Sequence, residues 1–147
     1  MTHVNTYLTV ESSDPTNTGG SAVNIYNSFP RQLEFDPLKQ WEVALVDITF
    51  EQASGQPVQS VFVYSDIVQA SIIGSQHAQL LRRVLSRSPG TREDVSLQEP
   101  LHFRPISTRN FSSVKVELRD STGALITTTA AAATSCVLAF RVRHPDN

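Results

Sequence analysis

The segment WEVALVDITF, residues 41–50, decides how this chain is read. Its side chains alternate as on a strand, where successive residues point to opposite faces. Trp41, Val43 and Leu45 share one side, and Ala44, Val46, Ile48 and Phe50 share the other. Neither set is polar. A strand with one face in water carries polar residues at every second position. This strand is therefore expected to be covered twice, by an opposing sheet and by a loop or neighbouring subunit. Alternation leaves open which row faces inward. Trp41 is expected to cap one end of the core, with Val43 and Leu45 continuing its row; if it is buried, Trp41→Ala costs ~3–5 kcal/mol.

Period-2 segments recur on both sides of this stretch, separated by turn residues. They are VNTYLTV (4–10), AVNIYN (22–27), RQLEF (31–35), VQSVFVYSDIV (58–68), SVKVELRD (113–120) and CVLAFRVR (136–143). Pro30 is expected to split the second from the third. In the last, Cys136, Leu138, Phe140 and Val142 share a side, which makes Phe140 a core candidate. AQLLRRVLSR (78–87) fits a helix through Leu80, Leu81, Val84 and Leu85, but also a buried strand, and its strand neighbours favour the latter. VSLQEPLHF (95–103) reads as extended and interrupted at Pro100, and PISTRNF (105–111) as a short helical or 3₁₀ turn. SSDPTNTGGS (12–21), QASGQP (52–57) and SPGTRED (88–94) read as loops, and STG (121–123) as a turn into ALITTT (124–129). About eight strands without a βαβ rhythm predict an all-β sandwich or barrel. At this length the natural member is a single eight-stranded jelly roll spanning residues 1–147 as one domain.

Composition narrows the functional classes. Charged residues make up 18% of the chain, below the typical ~25%, and the net charge is −2. No global field recruits nucleic acid, which makes a nucleic-acid partner unlikely on these grounds. The N-terminus MTHVNTYLTVESSD lacks the basic start and apolar run of a signal peptide, and no apolar run approaches the ~20 residues of a membrane span. The expectation is a soluble protein made in the cytosol, without membrane insertion. Cys136 is the only cysteine, so neither an internal disulfide nor a C-x-x-C site can form. Its alternation with apolar residues marks it as a small core side chain.

Catalytic patterns are absent from the sequence. His3, His77, His102 and His144 are scattered singly, without metal-ligand spacing. TGGS (18–21) lacks the lysine and helix of a phosphate loop, and no G-x-S-x-G elbow occurs. Glu93, Asp94 and Glu99 are expected in or near a solvated loop and not as an opposed catalytic pair. The chain is expected to be no enzyme and to need no cofactor. One cluster stands out: Arg82, Arg83, Arg87 and Arg92. It reads as a solvated edge or a protein–protein contact, partly neutralised by Glu93 and Asp94; the aromatics of a nucleic-acid stacking platform are missing.

WEVALVDITF (41–50) and VYSDIVQASIIGSQHAQLLRRV (63–84) together resemble the core of small capsid proteins of the polinton, adintovirus and related double-stranded DNA virus lineages. There a Trp-Glu-Val-Ala-Leu segment precedes a Tyr-x-Asp-Ile-Val segment, an Ile-x-Gly turn and a Leu-Leu-Arg run. HFRPISTRNFSSVKVELRDSTG (102–123) is similar to the closing region of that family. The likeness covers roughly residues 33–123 and a last strand. It implies a penton-like minor capsid protein with a single jelly roll. Such a subunit forms homopentameric capsomers at icosahedral vertices, among double-jelly-roll major capsid proteins, and is located in the virion capsid. Synthesis is expected in the host cytosol, with nuclear assembly left open. No Arg-Gly-Asp tripeptide and no basic N-terminal arm are present. The alternatives are a trimeric receptor-binding head and a carbohydrate-binding jelly-roll module.

Overall fold

The computed structural model describes residues 6–18, 20–53, 55, 57–73, 76–87, 91–97, 100–129 and 132–143. His3, His144 and Glu99 lie outside these residues. Eleven strands are present among them, and no helix. They are β1 (Thr6–Glu11), β2 (Asn24–Glu34), β3 (Trp41–Glu51), β4 (Ser60–Ser65), β5 (Ser71–Ile73), β6 (Gln76–Ala78), β7 (Leu80–Leu85), β8 (Arg92–Ser96), β9 (Arg104–Pro105), β10 (Asn110–Arg119) and β11 (Ser135–Val142).

The first sheet runs β1-β11-β3-β8, with β9 paired to the other half of the β3 edge that β8 uses. The second runs β2-β10-β4-β7, and β5 and β6 form a separate hairpin. Pairing is antiparallel throughout. Val43, Leu45, Ile48, Phe50, Leu138 and Phe140 of the first sheet share one hydrophobic cluster with Ile25, Val61, Val63, Val84, Val114, Val116 and Leu118 of the second. Two antiparallel sheets with a common core are compatible with a β-sandwich.

The double-sided apolar strand has a specific explanation. Leu45 pairs with Leu138 and Asp47 with Val137, so Val46 is an extra residue in β3, a β-bulge. The bulge switches the parity of the strand. Before it the core row is Val43 and Leu45; after it the row is Ile48 and Phe50. Both candidate rows face the core, each over half its length. On the outer side, Ala44 and its partner Ala139 are also fully buried. Phe103 lies on that side, with the Arg141 guanidinium 3.7 Å from its ring centroid, and Arg141 reaches Glu42 at 3.5 Å. The strand is therefore covered twice within its first half.

Val43, Leu45 and Phe140 are fully buried. Trp41 is half-buried at the rim, 4.7 Å from the Phe35 ring, which itself stacks on Phe140 at 5.1 Å. Trp41 packs against the end of the core without being fully buried. The reason is its position as the first residue of β3, where its indole N–H donates to the Asp36 carbonyl in the preceding turn.

Several element boundaries differ from those read off the sequence. Pro30 does not divide the second and third segments, because β2 is an edge strand whose register slips between Ser28 and Leu33. Proline falls in the stretch that lacks ladder partners, so its missing N–H costs nothing there. Residues 78–87 contain β7, a strand. Its helix-like spacing of buried Leu81 and Val84 follows from a second bulge, since Tyr64 pairs with Leu80 and Val63 with Arg82. Residues 105–111 form no helical turn, because tertiary partners take the amides: Ile106 N–H donates to Trp41 O and Ser107 N–H to Ile67 O. Finally, β8 begins at Arg92, inside the stretch read as a loop, and Glu93 pairs opposite Phe50.

Candidate interaction surface

Each sheet has one edge strand on either flank: β1 and β2 on one, β8 and β7 on the other. Both seams between the sheets are closed by polar side chains, because exposed edge amides would otherwise lack partners. On the first flank, buried Asn27 of β2 accepts from Glu11 N–H (3.0 Å) and donates to Glu11 O (2.9 Å), imitating a strand partner for β1. At one end, buried Gln52 holds residue 58 the same way, with Val58 N–H donating to Oε1 and Nε2 donating to Val58 O, each at 2.8 Å.

The second flank carries the four arginines, and the structure separates them. Arg82 is half-buried and clasps the segment that leaves β8, donating to Pro100 O at 2.9 Å and Leu97 O at 3.4 Å. Desolvation in this position lowers the pKa of its guanidinium, although it stays charged. Arg83 is exposed and donates to Ser60 Oγ at 3.1 Å. Arg87 and Arg92 are exposed and line one open groove with Glu93 and Asp94. Arg92 also donates to Ala133 O at 3.3 Å.

The acidic neighbours are not both solvated. Glu93 is buried, and its carboxylate accepts from Ser86 Oγ and from Arg87 N–H at 2.6 Å. Ser86 Oγ accepts in turn from Gln52 at 3.2 Å. Glu93 thus ties β8 to the end of β7 and belongs to the seam, a correction to its reading as a loop residue. Its place follows from register: opposite Phe50, it points inward at the end of the sandwich, where only a polar network can hold it. Asp94 stays exposed and accepts from Thr49 Oγ1 at 3.2 Å.

Beyond the seams, the flanks present unlike surfaces. On the second, Leu85 is 58% exposed beside Arg83, and an open groove along β7 is lined by Leu80, Leu85, Arg83, His102 and Arg104. On the first, the exposed residues include Tyr7 and Glu11 on β1 and Tyr26, Arg31 and Glu34 on β2, with the two tyrosines on the outer faces of different sheets. The exposed edge residues thus differ: arginine and leucine on the second flank, tyrosine with charges of both signs on the first. Sequence reasoning located the arginines but missed Leu85 as a surface residue, because helix and strand periodicities both counted it as core.

Cys136 is fully buried, and desolvation, with the Asp47 carboxylate adding to it, pushes its thiol up to about 12. Such a thiol is neither nucleophile nor metal ligand at neutral pH. No group of three or more His, Cys, Asp and Glu side chains with metal-binding geometry occurs among the described residues. No helix of these residues is long and apolar enough to cross a membrane. No protein-family model matches the sequence, and no curated protein matches it.

Proposed function

We propose that this chain is a structural building block of an icosahedral virion: a penton-like, single-jelly-roll minor capsid subunit that assembles with copies of itself. The observation that carries this reading is strand order. With the short β5, β6 and β9 set aside, the eight remaining strands in chain order make sheets of order 1-8-3-6 and 2-7-4-5. Sheet neighbours are distant in the chain except for the hairpin pair 4 and 5, an order consistent with a jelly roll of two Greek keys. The likeness of residues 41–50, 63–84 and 102–123 to capsid subunits points the same way.

The two unlike flanks support assembly by head-to-tail contacts. A ring needs two different, complementary surfaces on each subunit, whereas a twofold dimer reuses one. Leu85 and Arg83 of β7 on one flank would meet a surface of different chemistry, Tyr7 and Glu11 of β1, on the other. Five subunits, the vertex position and a double-jelly-roll partner come from the likeness alone. Native mass spectrometry of the purified chain tests the reading. A closed homopentamer is expected, alone or on addition of a double-jelly-roll major capsid protein. A stable monomer under both conditions, or an exclusive trimer, overturns it.

A further inference from the structure

Where β3 begins and β11 ends, the chain forms an open cleft of about 300 Å³. Segments remote in sequence meet there: Gln40 and Trp41, Gln69, residues 105–109, and Arg143. Two of the lining residues are arginines, Arg109 and Arg143, both exposed. Neither guanidinium has a hydrogen-bond or ion-pair partner among the described residues.

Among the described residues no acidic side chain lines the cleft. The carboxylate of nearby Asp36 is turned into its own loop, where it accepts from Leu38 N–H at 3.0 Å. The cleft hydroxyls are engaged as donors elsewhere, Ser107 to Asp66 O and Thr108 to Asn110 O. What remains available to a ligand is two guanidiniums and the side-chain amides of Gln40 and Gln69, beside the half-buried Trp41 ring and Pro105. Both arginines line one cleft with no counter-charge among the described residues, and an anion bound there would be attracted by both. The planar fork of arginine donors matches the oxygens of sulfate, phosphate and carboxylate.

We propose that this cleft binds an oxyanion, a sulfate, phosphate or carboxylate group, held by Arg109 and Arg143 beside Trp41. The apolar wall and the two amides suit a group carried on a sugar ring as well as a free ion.

Trp41 is the only tryptophan of the chain, so its emission reports on the cleft directly. The full chain is titrated at constant ionic strength with sodium sulfate, sodium phosphate, sialyllactose and a sulfated disaccharide, against chloride and lactose. A saturable emission change, matched by calorimetry and absent with chloride and lactose, is expected for at least one oxyanion. Arg109→Gln and Arg143→Gln should each weaken it by about tenfold, and the double variant should abolish it, with the melting temperature unchanged. An acidic saccharide that binds at least about tenfold tighter than the free ions assigns the ligand to the sugar; equal affinities assign it to the ion. No saturable heat or emission change with any of the four anions, or binding retained in the double variant, overturns the proposal.

Discussion

The residues of this chain divide by what surrounds them more than by type. Cys136 and Glu93 are both buried, yet one sits among apolar side chains and the other ends a hydrogen-bonded seam. For Cys136 the consequence is chemical silence. In the folded protein it should resist a thiol reagent at pH 8 and react at once in denaturant, with the native rate reporting opening of the core. Fast native labelling would contradict its burial. Among aromatics the ranking is set by position. Phe140 is fully buried between Phe35 and Phe111, whereas Trp41 is half-buried at the rim. Phe140→Ala should cost about 4–5 kcal/mol and Trp41→Ala about 3 kcal/mol, measured by urea unfolding. A larger loss at Trp41 would mean that the rim, not the sandwich centre, holds the fold.

Elements depend on single irregular positions. The bulge at Val46 lets β3 supply core residues from both parities, so its deletion would turn Ile48 and Phe50 outward and Asp47 and Thr49 inward. A chain lacking Val46 should fail to give the cooperative thermal transition of the intact protein. A normal transition would show that register is fixed elsewhere. Turns are the second such device. In the turn after β10, Asp120 accepts from the Thr122 hydroxyl (2.6 Å) and from the amides of Thr122 and Ala124, and Gly123 adopts φ of 88°. Only glycine takes that conformation without strain. Asp14 is held the same way by Thr16. The hydroxyl bond first, then the amides, pull both carboxylates below the ordinary 3.8. Folding therefore favours their charged form. Their stabilisation is complete above pH 3.8 and is lost as pH falls through the lower folded values. Asp14→Asn with Asp120→Asn should flatten the acid limb of the stability profile below pH 4, followed by urea titration at each pH. An unchanged limb would assign acid sensitivity to other groups.

At the scale of the whole molecule, the sandwich has two closed seams and two unlike flanks. Asn27, Gln52, Arg82 and Glu93 satisfy polar groups between the sheets, so the outer flank residues are not engaged in closing the seams. Leu85 is the most informative position because it is 58% exposed on an edge strand. Leu85→Asp should leave folding within about 0.5 kcal/mol of the parent and weaken self-association by about tenfold or more. Sedimentation velocity over a concentration series measures it. An oligomer of undiminished stability would move the contact away from β7.

The sequence by itself determined the all-β class, because alternation, turn chemistry and low charge act locally and survive in a linear reading. It also marked Val43, Leu45 and Phe140 as core, and the arginine cluster of residues 82–92 as a distinct surface feature. Tertiary structure alone decided the rest. Whether a residue faces inward depends on register, and one extra residue at Val46 or Leu81 inverts it; no periodicity reads an interruption of itself. Pro30 lies within one strand because β2 sits at an edge, a property of its neighbours. Residues 105–111 extend because Trp41 O and Ile67 O accept their amides from across the fold. Glu93 is buried because its partner is Phe50, forty-three positions earlier in the chain (93 against 50). The pairing of Arg109 with Arg143 in one cleft arises in the same way: contacts between distant segments are fixed by the packing of two sheets, and local sequence carries no record of them.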